Sequence, residues 1–461
     1  MMQKDGEKQG RFMFVNLDDY IPQDHLLRAI RKSIDFSFIY DKVSHLYSEV
    51  GRPSIDPVLL IKMLLLGYLY GIPSERRLEE EVRLNLAYRW FLGMDMGDAA
   101  PDHSTFSQNR RRRFKKSGIF QGLFDHIVSL CIDKGLVTGE VIVTDSTHVK
   151  ASASKSKVEK IIVKKTPSAY LLELEKEAQR LEAELQAGRE ESGQKKRRKK
   201  TNPKERKVVT EVISKSTTDP DAGLMKRPGK PTGFYYLGHT SIDPKHGIIT
   251  DIHVTPGNIN DQQPYIERLK IQEEKFPFKI KKVGADRGYD YAEVHYGLER
   301  LDIEGYISPF KRVSNHESID KREFSYDTTT DMYICPEGKC LKFTHIYRGK
   351  GNRVNKIYSA RSENCKNCPR RKECFGGKAR HRIISRPLFQ EVFESNNNRS
   401  ETLEYKRIQR LRRIWCEGTF GTLKQRHNLR STYRRGIENV QEQCLMSALA
   451  MNIKRMVKAL R

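Results

Sequence analysis

Apolar positions repeat at helical spacing in the first part of this chain, at alternating spacing in its middle, and at helical spacing again near its end. The segment SIDPVLLIKMLLLGYLYGIPSERRLEEEV contains Asp56-Pro57, a helix-entry pair with proline at the first helical position. A second helix is predicted after Pro73-Ser74 and a third near Asp102, in PDHSTFSQNRRRRF. Short turns between such helices predict a small bundle, with room for a helix-turn-helix. The period changes at Val141. VIVTDSTHVKAS is β-branched up to Asp145, which predicts a central strand delivering a carboxylate at its end. In GFYYLGHTSIDPKHGIITDIHVTPGNINDQQ two strand-like runs flank DPKHG, a β-hairpin pattern. A helix is predicted from about Gln263 to Glu274. KIKKVGADRGYD then reads as a strand ending at Asp286, Tyr291 to Arg300 as a helix, and IEGYISPF as another strand. A long helix carrying RRIWCEGTFGTLKQRHNLR follows.

This order of elements matches an α/β, ribonuclease-H-like mixed sheet flanked by helices. The boundaries it suggests are an all-α unit over 1–139, a first part of the core over 140–309, a cysteine-rich insertion over 310–388, and C-terminal core helices over 389–461. Within the first core part, 152–230 is a charged insertion poor in aromatics and expected to be partly disordered. It contains one short amphipathic helix with Leu171, Leu174, Leu181 and Leu185 on a stripe, followed by the basic run KKRRKK at 195–200.

Charge narrows the partners. The 461 residues include 85 Lys plus Arg against 59 Asp plus Glu, a formal charge of +26. A chain this basic attracts polyanions, and nucleic acid is the usual one. Arg110, Arg111, Arg112 and Arg113 form a local peak and are expected to touch DNA phosphates. No run reaches the roughly 18 apolar residues of a spanning helix. The longest apolar patch, from Val58, is broken by Lys62 and Gly67 and reads as a buried helix. With no signal-peptide pattern at the N-terminus, the expected location is cytoplasmic, and the eight cysteines are expected to be thiols or metal ligands.

Two constellations carry candidate chemistry. Asp145 and Asp286 end strands, and Glu417 lies on a helix among basic residues, with Lys424 two turns further on near the same face. Three such acids suit a pair of Mg²⁺ or Mn²⁺ ions about 3.5–4 Å apart, in the arrangement used for phosphoryl transfer. The second constellation is YICPEGKC with CKNCPRRKEC. Its thiols suggest structural Zn²⁺ held by Cys335, Cys365, Cys368 and Cys374, with Cys340 as the alternate ligand. Cys131, Cys416 and Cys444 stand alone and are expected in core or neutral positions.

These motifs resemble the DDE transposases of bacterial insertion sequences, over nearly the whole chain. The family's three acids fall on Asp145 in VTDSTHVKAS, Asp286 in GADRGYD and Glu417 in CEGTFGTLK. Its C-terminal pattern, Tyr-x2-Arg-x3-Glu-x6-Lys, is met at Arg413, Glu417 and Lys424 and departs at the tyrosine, where this chain has Arg410. Asn258 and Asp261 in PGNINDQQ match a recurrent family stretch, and PDHSTFSQNR resembles the family's N-terminal helical domain. The resemblance implies cleavage at the ends of a mobile element, leaving a 3′-OH that attacks target DNA. It further implies double-stranded DNA as partner, a homodimer or higher assembly on that DNA in the nucleoid, and phosphate contacts from Arg413 and Lys424. His148 is expected to be a satisfied polar residue at a strand end.

Overall fold

The computed structural model describes residues 16–48, 50, 54–114, 117–165, 169–191, 209–226, 229, 231–310, 319–349, 354–375 and 379–461. Helices fill its first part. In α1 (Pro57–Tyr70) the Asp56 carboxylate accepts the Val58 N–H, and the helix stops at Gly71, which adopts a left-handed φ of 69°. The helix is apolar on every side, and Leu60 through Leu69 are buried apart from Lys62. Helices α2 (Glu75–Leu84) and α3 (His103–Asn109) are capped by Ser74 and Asp102. The arginine run forms a π-helical turn, Arg110–Phe114, continuing α3, and α4 (Ile119–Asp133) follows. Among the described residues no single helix is long and apolar enough to cross a membrane.

The central sheet contains β1 (Val141–Lys150), β2 (Gly233–Ile242), β3 (Ile249–Pro256), β4 (Lys282–Ala285) and β5 (Glu304–Ile307). Their order is β3-β2-β1-β4-β5, antiparallel across the first three strands and parallel from β1 through β5. That order and direction define a ribonuclease-H-like sheet. The DPKHG turn joins β2 to β3. One expectation is corrected: β1 does not end at Asp145. Its parallel pairing with β4 stops at Val143, but its antiparallel pairing with β2 continues to Lys150.

Among the described residues, part of the charged insertion is folded. Val158–Lys165 and Val209–Ser216 form an antiparallel ribbon, and α5 (Ala169–Glu191) runs straight through Gly188. Leu174 and Ala178 of α5 are buried against Ile346, Val354 and Leu388. Arg348 donates to Glu175 at 2.8 Å and to Glu182 at 2.6 Å. The acids that mimic disorder in the sequence are thus paired with the cysteine-rich unit, whose five short strands between Ser325 and Pro387 form a separate sheet. The basic run 195–200 and the Leu171 side chain lie outside the described residues.

Helices cover both sides of the central sheet. On one side α6 (Tyr265–Lys275) and α7 (Ala292–Arg300) bury Tyr265, Leu269, Val294 and Leu298 against Ile142, Val283 and Ile307. On the other lie α8 (Leu403–Arg412), a π-helical turn (Arg413–Glu417), α9 (Gly418–Arg426) and α10 (Ile437–Ala459). The core on this side is continuous from Leu27 in the N-terminal unit, through Val143 and Ile252 in the sheet, to Val457 in α10. Two amides of α10 also satisfy the edge strand β3. Asn452 exchanges bonds with the Ile249 N–H and C=O at 2.8 Å, and Gln441 does the same with the Val254 N–H and Ile252 C=O.

Candidate active site

The end of the β1–β4 ladder brings the first two acids near each other. Val143 pairs with Gly284 at its last step, and Asp145 and Asp286 each follow two residues beyond, close enough for the Asp286 charge to raise the Asp145 pKa. Helix α8 packs on the sheet at Gly284. A Cβ there would meet Ile408 Cγ2 at 2.5 Å, so only glycine permits the approach. Gln409 anchors the helix by donating to the carbonyls of Ala285 at 2.9 Å and Tyr306 at 2.6 Å. One turn on, Arg412 Nη1 donates to Asp145 Oδ2 at 2.8 Å.

Other contacts hold each carboxylate in place. Asp145 Oδ1 accepts the Ser146 N–H at 2.8 Å. Asp286 Oδ1 accepts the Gly288 N–H at 2.7 Å and caps the short turn Arg287–Tyr289. A third aspartate joins from the loop after β3: Asp261 Oδ1 accepts the Ser146 hydroxyl at 2.7 Å. Burial raises the Asp145 pKa to about 6, and the charges of Asp286 and Asp261 add to the rise while the Ser146 N–H and Arg412 oppose it. Beneath them the Tyr289 hydroxyl is held neutral by burial and then by these same acids. Burial likewise keeps Cys416 a thiol, aided by Asp145, Asp286 and Glu417.

Glu417 is placed differently from Asp145 and Asp286. It ends the π-helical turn, and its side chain is exposed on the flank of the helix while Cys416 faces the sheet. The three carboxylates do not present oxygens all within 4.8 Å of one another. The basic residue reaching the acids is Arg412, whereas the family pattern points to the exposed Arg413. Asp261 and Arg412 are therefore the site residues that sequence reasoning missed. The match of Asp261 to a family stretch was its one available signal.

The arginine run also divides. Arg110 is drawn into an ion-pair quartet with Glu75, Glu442 and Arg434, in which Glu442 Oε1 lies 2.7 Å from Arg110 Nε and 2.8 Å from Arg434 Nη1. Arg113 donates to Asn109 at 2.8 Å and covers the Tyr47 ring at 4.4 Å. Of the four, only Arg111 and Arg112 are exposed. His148 is half-buried, with its ring edge-to-face with Tyr235.

Four of the five clustered cysteines, Cys335, Cys365, Cys368 and Cys374, line one small cavity, while Cys340 is exposed at the start of a strand. Cys335 sits in a tight knuckle. Its carbonyl accepts the Gly338 N–H at 2.8 Å, its Sγ accepts the Lys339 N–H at 3.3 Å, and Gly338 has a φ of 72°. Among the described residues, no three of these sulfurs lie within 4.8 Å of one another. Burial raises the Cys374 pKa, and the neighbouring thiols of Cys365, Cys368 and Cys335 add to it. Glu79, Asp102 and His103 do meet within 4.8 Å. Their atoms are already used: Glu79 accepts from the His103 backbone at 2.9 Å and its ring at 3.0 Å, and Asp102 caps α3. That cluster is a clasp between α2 and α3.

Comparison with known families agrees with this geometry. Residues 334–457 match the family described as Transposase DDE domain, and residues 15–112 match Transposase domain (DUF772). Both matched families are transposase families, and the C-terminal match is to the DDE type. The DDE match begins inside the cysteine-rich segment, making that segment part of the family's domain. No curated protein matches the sequence. Among solved structures, the piggyBac transposase synaptic complex with hairpin DNA aligns over 94% of this chain and 74% of its own, at 10% identity and a TM-score of 0.32. The Mos1 mariner paired-end complex with Mn aligns over 56% and 61%, at 11% identity and a TM-score of 0.16. Scores this low leave the fold resting on the strand order itself.

Proposed function

We propose that this transposase cuts the ends of an insertion sequence and joins them to target DNA, using divalent cations held by Asp145, Asp286 and Glu417. The observation that carries the reading is the placement of Asp145 and Asp286 near each other at the end of the β1–β4 ladder, under a helix that bears Glu417. Hard carboxylate oxygens of this kind suit Mg²⁺ or Mn²⁺. A Cβ on Gly288 would lie 2.9 Å from Asp286 Oδ1 and 3.4 Å from Asp261 Oδ2, so the glycine keeps the gap between two carboxylates open. Cations bound there would activate the attacking oxygen and stabilise the leaving one.

The chain's own residues organise the rest. Ser146 ties Asp145 to Asp261, and Asp286 is fixed by its turn. Arg412 supplies positive charge to Asp145 and gives way as Glu417 turns inward from the same helix. Lys424 and Arg413 contact DNA phosphates, Lys as a point charge and Arg as a fork. Joining two ends calls for a homodimer or larger assembly on DNA. Cys335, Cys365, Cys368 and Cys374 would hold a structural Zn²⁺, which would brace the inserted sheet with its small core. The Cys335 knuckle and the shared cavity support that assignment.

The test uses DNA carrying the inverted repeats that flank the reading frame. Asp286→Asn is expected to abolish Mg²⁺-dependent nicking while leaving DNA binding intact. Pre-cleaved ends with a free 3′-OH are expected to be joined to target DNA by the unaltered protein. Nicking that survives Asp286→Asn refutes the catalytic assignment, and cleavage without joining reduces the protein to a nuclease.

A further inference from the structure

Two DNA-contact candidates more than 300 residues apart in sequence face the same space. A cleft of about 1300 Å³ separates the N-terminal helices from the C-terminal core, and both Arg111 and Lys424 line it. Arg430, Tyr433 and Arg435 complete the far wall. Glu75, Arg110, Arg434 and Glu442 also line the cleft, but they compensate one another as the ion-pair quartet. The exposed charge lining the cleft therefore comes mainly from Arg111, Arg430 and Arg435, against the exposed Glu438.

Tyr433 stands out in this wall. Its side chain is 84% exposed, while its neighbour Thr432 is 3% exposed and rigidly tied. The Thr432 N–H donates to the Lys150 carbonyl at 2.9 Å, and the Lys150 N–H donates to the Arg430 carbonyl at 3.3 Å. The Thr432 hydroxyl accepts the Arg434 N–H at 3.0 Å. The tip that bears the ring is therefore fastened to the end of β1, the strand that carries Asp145. A rigidly mounted aromatic among arginines suits a nucleobase stacked on its face, with phosphates on the surrounding cations. At about 3.3 Å per residue, the five residues from Asp145 to Lys150 span roughly 17 Å. The stacked base would thus lie several nucleotides from the bond that is cut.

We propose that this cleft binds the DNA backbone near the element end and that Tyr433 stacks on one base displaced from the duplex. The proposal rests on the transposase reading, and its test separates the two. Element-end duplexes carrying 2-aminopurine at successive positions are titrated with the full chain. One position is expected to change fluorescence on binding. Tyr433→Ala should abolish that change and weaken binding about tenfold, and Tyr433→Phe should restore both. Arg430→Gln and Arg435→Gln should each lower the salt dependence of binding by about one ion. Lys279→Gln, outside the cleft, should leave it unchanged. Unaltered fluorescence and affinity in Tyr433→Ala, or equal losses in Tyr433→Phe, overturn the stacking assignment. Unaltered salt dependence in both arginine variants overturns the cleft. Failure of the unaltered protein to bind element ends at all would instead sink the transposase reading.

Discussion

Replacing Arg412 with methionine removes a charge from the acid pocket and keeps most of the side-chain stem. Arg412 and Asp145 are 13% and 21% exposed, so their pair is only partly screened by solvent. Opposite charges about 4 Å apart at an effective dielectric constant near 20 attract by about 4 kcal/mol. Desolvation of the guanidinium offsets part of this, leaving an expected loss of about 2 kcal/mol in the metal-free protein. Asp145 would also face Asp286 and Asp261 without a counter-charge. A divalent cation would supply that charge, so Mn²⁺ should stabilise Arg412→Met more than it stabilises the unaltered protein. Differential scanning fluorimetry in chelator and in Mn²⁺ reads both quantities. The reasoning is refuted if Arg412→Met melts with the parent in chelator. It is refuted equally if Mn²⁺ raises both midpoints by the same amount.

Other consequences follow from the same contacts. Asp145 has a folded pKa of about 6, above the ordinary carboxylate value of about 3.9, so the native state takes up its proton first. Asp145's contribution to metal-free stability should therefore fall by about 3 kcal/mol as pH rises from about 4 to 6 and then level off. Subtracting the profile of Asp145→Asn isolates this contribution, and a flat difference contradicts it. Glu417→Gln alters an exposed side chain and should change stability by less than about 0.5 kcal/mol, while strand cleavage drops by about a hundredfold or more. Cys368→Ser should release about one equivalent of zinc, as read by a chromophoric chelator, and Cys340→Ser should release none. Arg110→Ala leaves Glu442 short of a partner and should cost about 2–3 kcal/mol in denaturant melts, whereas Arg111→Ala should cost almost nothing.

The strands were readable from sequence where apolar residues alternate before an acid, as at Val283 and Ala285 before Asp286. The helix caps were readable from Asp56-Pro57 and Asp102, since these are local signals. What escaped depends on tertiary contact. Asp145 looks like a strand end because its partner β4 stops there, yet β2 carries β1 five residues further. Composition suggested disorder for 152–230 because the acids Glu175 and Glu182 seem unmatched until Arg348, over 160 residues away, is packed against them. The family pattern pointed to Arg413, but the packing of α8 on Gly284 turns Arg412 toward the acids. Asp261 gives no periodic signal, since it reaches the site from an irregular loop.

The core that runs without a break from Leu27 to Val457 has a temporal consequence during synthesis. The N-terminal helices leave the ribosome first, but the surface they rest on, α10, emerges about 300 residues later. At about 5–20 residues per second this delay lasts roughly 15–60 s. Throughout it the apolar sides of α1 and α4 remain uncovered, so the nascent bundle is exposed to chaperones and proteases. Closure of the N-terminal bundle and assembly of the acidic pocket should therefore mature together, when α10 docks.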